Sequence, residues 1–136
     1  MAFAIKADVR DAHAATFVFT AQKTMYAGKE IAAGDTIYIF ASENEGGQGL
    51  VARGVVTLAE ALPKPAHAER WTPRASITVE RIALAVGPLG RRELKGFVEW
   101  NDGRPETELN FKFYRQATDK IVGISAATAA FLERFF

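Results

Sequence analysis

Gly34-Asp35-Thr36-Ile37-Tyr38-Ile39-Phe40-Ala41-Ser42, followed after a glycine-rich gap by Gly49-Leu50-Val51-Ala52-Arg53-Gly54-Val55-Val56, decides the reading of this chain. Gly34-Asp35 reads as a tight turn. From Thr36 the side chains alternate: Thr36, Tyr38, Phe40 and Ser42 share one face, and Ile37, Ile39 and Ala41 share the other. Both faces are largely apolar, which places this strand centrally in a sheet. Glu43 to Gly49 holds three glycines and ends the strand, and Leu50 to Leu58 resumes the pattern as the second arm of a hairpin.

Outward from the hairpin, Phe3 and Ile5 alternate as in a short first strand, and Thr16 to Thr20 is β-branched and aromatic, as in a half-buried strand. Ala59 to Arg70 contains Pro63 and Pro65 and reads as a loop with a short helical piece. Ser76 to Val86 reads as a strand, Leu89 to Phe97 as a short helix carrying Arg91, Arg92 and Lys95, and Asn101-Asp102-Gly103 as a turn. Thr107 to Gln116 alternates and reads as a late strand, with Ile121 to Ser125 extended after it. Ser125 is a good N-cap for a closing helix, with Thr128, Phe131, Leu132 and Phe135 at helical spacing. About six strands with short helices at the margins imply an α+β class fold: a small, mixed, curled sheet or barrel forming a single domain over residues 1–136.

Composition sets limits. The 136 residues are 49% hydrophobic and 24% charged, as in an ordinary globular protein. Seventeen basic against sixteen acidic side chains leave a net charge of +1, so any nucleic-acid contact has to be local. Without cysteine there is no disulfide, thiolate or cysteine–zinc chemistry. His13 and His67 have no second ligand at metal-binding spacing, so no metal and no cofactor is expected. No Gly-x-Ser-x-Gly elbow exposes a nucleophile. Gly46-Gly47-Gln48-Gly49 leads into a strand instead of a helix, so it reads as a hairpin loop or flap, not a phosphate cradle. No apolar run reaches the ~18–20 residues of a membrane span. Lys6, Asp8, Arg10 and Asp11 interrupt the N-terminal stretch early, so a cytoplasmic protein without membrane contact is expected.

The remaining polar candidates are few. Arg115 offers a fork of donors suited to phosphate, and Gln116 a donor and an acceptor suited to a base edge. The plain alternative is an Arg115 paired with a carboxylate at the sheet rim and a solvated Gln116. On a regular strand the two face opposite ways, so a shared pocket requires a bend or bulge. Trp71 and Trp100 sit beside charged or turn residues, where an aromatic ring either stacks a base or lids the edge of a core.

Four stretches resemble the PUA-like superfamily, and most closely its EVE branch. They are Phe3-Ala4-Ile5-Lys6-Ala7, the Gly34–Ser42 strand, the Gly49–Val56 strand, and Phe113-Tyr114-Arg115-Gln116 with Ile121–Ser125 and the closing helix. Ala41 stands where the family often has histidine, and Leu62 to Glu106 has no counterpart. The resemblance implies a curled β-barrel with peripheral helices and a cleft at one end that reads modified or flipped bases in DNA or RNA. It implies Phe40 or a tryptophan (Trp71, Trp100) as stacking partner, Ser42 and Gln116 on the base edge, and Lys6 and Arg115 on phosphate. A second branch, the ASCH domains, implies an alternative hydrolase of modified nucleosides. Gln22-Lys23-Thr24 resembles its Lys-Thr element, which implies Thr24 as nucleophile activated by Lys23, with Glu80 as the candidate for the family's glutamate. A third possibility is a small scaffold that binds no nucleic acid. The oligomeric state is left open.

Overall fold

The computed structural model describes all 136 residues. Six strands close into one barrel: β1 (Ala2–Ala7), β2 (Thr16–Met25), β3 (Thr36–Ala41), β4 (Gly49–Ala61), β5 (Arg74–Leu84) and β6 (Lys120–Gly123), in the spatial order β1-β3-β4-β5-β2-β6. β1 runs parallel to β3 and β2 parallel to β6, and the other four ladders are antiparallel. Closure leaves no unpaired strand edge.

The alternation along β3 sorts its side chains into two cores. Ile37 and Ile39 point into the barrel with Phe3, Ile5, Phe17, Ile77 and Val79. Tyr38 and Phe40 point outward, beneath the helices, with Leu50, Leu89, Leu94, Leu109, Phe113 and Leu132. That is why both faces of β3 are apolar: one fills the barrel and the other carries the helical layer.

Helix α1 is a single turn (Arg91–Leu94), opened by a hydrogen bond from the Gly90 amide to Glu93 Oε1 at 2.8 Å. α3 (Ala126–Glu133) starts as expected, with the Thr128 amide donating to Ser125 Oγ at 3.1 Å. The largest correction concerns Thr107–Gln116, which is not extended: Thr107–Tyr114 is helical, and Arg115 and Gln116 form a bend after it. Helix α2 (Pro105–Leu109) continues into a wider π turn over Asn110–Tyr114, where the Arg115 amide reaches back to Asn110 O at 2.8 Å. The buried positions Thr107, Leu109, Asn110 and Phe113 follow helical spacing, and this face overrides the shorter two-residue alternation. Pro105 at the first helical position and Glu106 and Glu108 in the first turn are the start signals that mark it. A second correction concerns Ala59–Arg70. Ala59, Glu60 and Ala61 extend β4 by pairing with Ile77, Ser76 and Ala75 of β5, and residues 62–73 form an irregular loop without a helix.

Glu108 joins α2 to α3. Its carboxylate accepts from the Ser125 amide (3.0 Å), the Thr128 hydroxyl (2.9 Å) and Lys112 Nζ (3.1 Å). Burial pushes this carboxyl up, but the Ser125 hydrogen bonds and the Lys112 charge outweigh it and hold the group below the usual carboxylate range. Glu108→Ala removes the acceptor of the fully buried Thr128 hydroxyl, leaving it only the Ser125 hydroxyl as a partner, and is expected to cost about 1–3 kcal/mol in urea denaturation. Because the folded pKa is depressed, this stabilisation is present above pH ~4.5 and is lost as pH falls through the folded value. The wild-type midpoint therefore drops with acid more steeply than that of Glu108→Gln.

Candidate nucleic-acid interface

One end of the barrel concentrates the polar chemistry. β1 and β3 end there, β4 and β6 begin there, and a 3-10 turn, Glu43–Glu45, caps β3. Lys6 on β1 and Lys120 on β6 are register partners, and both are buried. Each satisfies its ammonium on the backbone of the segment that follows the π turn. Lys6 Nζ donates to Ala117 O at 2.9 Å and lies 3.7 Å from Asp119 Oδ1. Lys120 Nζ donates to Thr118 O (2.9 Å) and Gln116 O (3.1 Å). Burial, then the neighbouring Lys6 charge, pushes the Lys120 ammonium down to about 8, with Asp119 pulling the other way. Lys6 is lowered too, first by burial, while Asp119 and Glu43 counteract it.

From Lys6 the network continues to the surface. Its Nζ stands 5.4 Å from the centre of the Tyr114 ring, and the Tyr114 hydroxyl contacts both carboxylate oxygens of Glu43 at 3.1 Å. Burial and the Glu43 charge raise the Tyr114 hydroxyl pKa, so it stays protonated and donates. Glu43 Oε2 also accepts the Arg91 amide at 2.6 Å, and the Arg91 guanidinium lies 5.7 Å from the Tyr114 ring centre.

Glu43 forms one wall of a cleft of about 560 Å³, completed by Gly47, Gln48, Gly90, Arg91, Arg92 and Lys95 among others, with Pro88 as the one apolar side chain in its lining. The glycines fix this shape. Gly49 has φ of +88° and sits so close to Leu89 that a Cβ would stand 2.3 Å from Leu89 O. The Gly47 amide is tied to Ser42 O at 2.8 Å, so this loop is anchored and not a free flap. Ser42 Oγ, 1% exposed, is the buried side-chain polar atom left without a hydrogen-bond partner.

A second cleft, of about 380 Å³, opens on the other side of the 3-10 turn, between Gln22, Lys23, Asn44, Glu45, Arg74 and Thr118 among others. Its β2 wall bulges at Ala21 (φ 51°), held by Ser76 Oγ accepting the Ala21 amide and by Arg74 donating to Ala21 O.

The sequence-derived residues divide among these places. Lys6, Phe40 and Ser42 come to the same barrel end, but Phe40 is fully buried against Phe113 (5.1 Å between ring centres) and offers no free face. Arg115 and Gln116 leave the helix end exposed, with no shared pocket. The Arg115 guanidinium covers the Phe111 ring at 4.0 Å, and only the Gln116 carbonyl engages the lysine network. Trp100 lies in a separate cleft of about 310 Å³ with Arg104, Thr107 and Phe111, and Trp71 in another of about 370 Å³ with Lys29, Lys64 and Arg74. The hydrolase constellation is not assembled. Thr24 is buried and donates to Pro73 O, while Lys23 pairs with Arg74 and Glu80 with Thr16, at opposite ends of the β2–β5 ladder. Glu43, Tyr114, Lys120 and Asp119 were missed by sequence reasoning. Tyr114 and Lys120 become visible only when the π turn and the β1–β6 register are known. No group of three or more histidine, aspartate or glutamate side chains is placed to hold a metal ion.

No family sequence model matches the chain, and no curated protein sequence matches it significantly. Solved structures do match. The DUF55 domain of human thymocyte nuclear protein 1 superposes with a TM-score of 0.61 at 11% identity, over 96% of this chain and 95% of that one. The human THYN1 protein in complex with 5-methylcytosine containing DNA gives 0.61 at 12% identity, over 96% and 94%. A protein from Pseudomonas putida gives 0.62 at 11% identity, over 99% of both chains. At these identities the likeness carries the fold: this is a PUA-like barrel of the same kind.

The buried lysine pair has a measurable signature. Because the Lys120 pKa is depressed on folding, the unfolded chain binds more protons than the folded one from pH ~8 to ~10.5, so stability rises with pH there. Between pH 7.5 and 9.5, before tyrosine ionisation near pH ~10 opposes it, the urea midpoint is expected to climb. In Lys120→Met this climb flattens.

Proposed function

We propose that the protein is a nucleic-acid-binding module that holds a modified or flipped DNA base in the Glu43–Arg91 cleft. The observation that carries this reading is a polar cleft at the barrel end, with cations on its rim and a fixed carboxylate on its wall. The superposition on a protein solved with 5-methylcytosine containing DNA supports it. The roles follow from chemistry. Glu43, held by Tyr114 and the Arg91 amide, keeps acceptor capacity suited to an exocyclic amino group such as that of cytosine. Arg92 and Lys95 belong to no ion pair and suit flanking phosphates. With no aromatic ring in the lining, the Arg91 guanidinium plane is the surface on which a base stacks. Lys6 acts from beneath, orienting Tyr114 and the 116–119 segment.

Fluorescence-anisotropy titration against duplexes carrying cytosine, 5-methylcytosine or other modified bases, with RNA counterparts, tests the reading. One modified DNA is expected to bind best, Arg91→Ala and Glu43→Gln each weakening it by roughly ten-fold or more. Absence of binding to every probe leaves the scaffold alternative standing.

A further inference from the structure

The base cleft does not stand alone on the surface. The Arg91 guanidinium donates to Asn44 Oδ1 at 3.1 Å, and Asn44 lines the second cleft. Arg74 lines that second cleft and also the Trp71 cleft beyond it. Three depressions are thus joined wall to wall, by Asn44 and by Arg74.

Resting on the function proposed above, we propose that these joined clefts form a track for the single strand leading away from the held base, ending on Trp71 as a stacking platform. Three features of the track fit a nucleic-acid strand. First, its cations Lys23, Lys29 and Lys64 take part in none of the protein's ion pairs, so they remain free for phosphate. Second, Trp71 stacks on no other aromatic side chain and sits half-buried in the 62–73 loop, with apolar neighbours such as Ile31 and Leu62 on its cleft wall. An aromatic face flanked by lysines is the arrangement that binds single strands by stacking plus charge. Third, Asp119 in the second cleft lies 3.7 Å from the Lys6 ammonium, which offsets its charge, and Lys23 and Arg74 stand against the one other acid there, Glu45. Glu60 remains as an acid in the Trp71 cleft, and Lys29, Lys64 and Arg74 outnumber it there.

The test compares two single-stranded DNA probes in anisotropy titrations: a trinucleotide with the best-binding modified base, and the same base carrying an eight-nucleotide extension on either side. The extension is expected to tighten binding, and Trp71→Ala to remove roughly five- to hundred-fold of that gain while leaving the trinucleotide unaffected. The Lys29→Gln/Lys64→Gln double variant, at two exposed positions that cannot disturb the core, is expected to reduce the salt slope of the long probe by about 0.7 per lost contact. Should the trinucleotide bind while extension adds nothing, or should both variants leave the long probe unchanged, the track is wrong and the base cleft stands. Should neither probe bind in any form, track and base reading fall together.

Discussion

Two ammonium groups buried side by side impose a constraint that the barrel end has to meet. Lys6 and Lys120 are neighbours across the β1–β6 ladder, and neither reaches water. A buried charge without partners is very costly, so every donor needs an acceptor. The chain supplies them from one short stretch: the carbonyls of Gln116, Ala117 and Thr118 and the carboxylate of Asp119. That stretch follows directly on the π turn, whose extra residue per turn delivers the chain end over the lysines. π turns of this kind recur at functional sites. Here the turn also brings Tyr114 to Glu43, which links the buried lysines to the cleft wall.

The barrel was legible because β3 is a short β-branched and aromatic run, apolar on both faces, and because the turn at Gly34-Asp35 and the glycines before Leu50 mark the strand ends. Ser125 announced α3 through a local cap that needs no tertiary information. Thr107–Gln116 was misread because its residues satisfy two periods at once. Phe111, Phe113 and Arg115 alternate, yet Thr107, Asn110 and Phe113 lie one helical turn apart, and burial against Leu94 and Leu132 selects the helix. The same misreading turned Arg115 and Gln116 into a facing problem that a helix end does not have. Glu43 escaped notice because a lone acid in a polar loop carries no pattern; only its Tyr114 and Arg91 partners, distant in sequence, give it meaning.

The two cores explain how a stable barrel supports a polar cleft. The inner core closes the strands on themselves, while the outer one fastens α1, α2 and α3 to the outward-facing sides of β3 and β6. Rigid strand ends and an anchored Gly46–Gly49 loop then hold Glu43, Gln48 and Arg91 at fixed spacing, so that the proposed binding of a base there has little ordering to do. The near-neutral total charge fits the proposed contact through this one end and argues against a general attraction to duplex DNA.

Amide chemical-shift mapping by NMR, with a duplex carrying the best-binding modified base titrated into the isotope-labelled protein, tests the central claim most directly. The account predicts the largest changes at Glu43, Gly47, Gln48, Gly90 and Arg91, with the opposite barrel end around Gly34 unmoved. Changes centred on the Trp100 cleft or around Gly34, with the Glu43–Arg91 cleft silent, would contradict it.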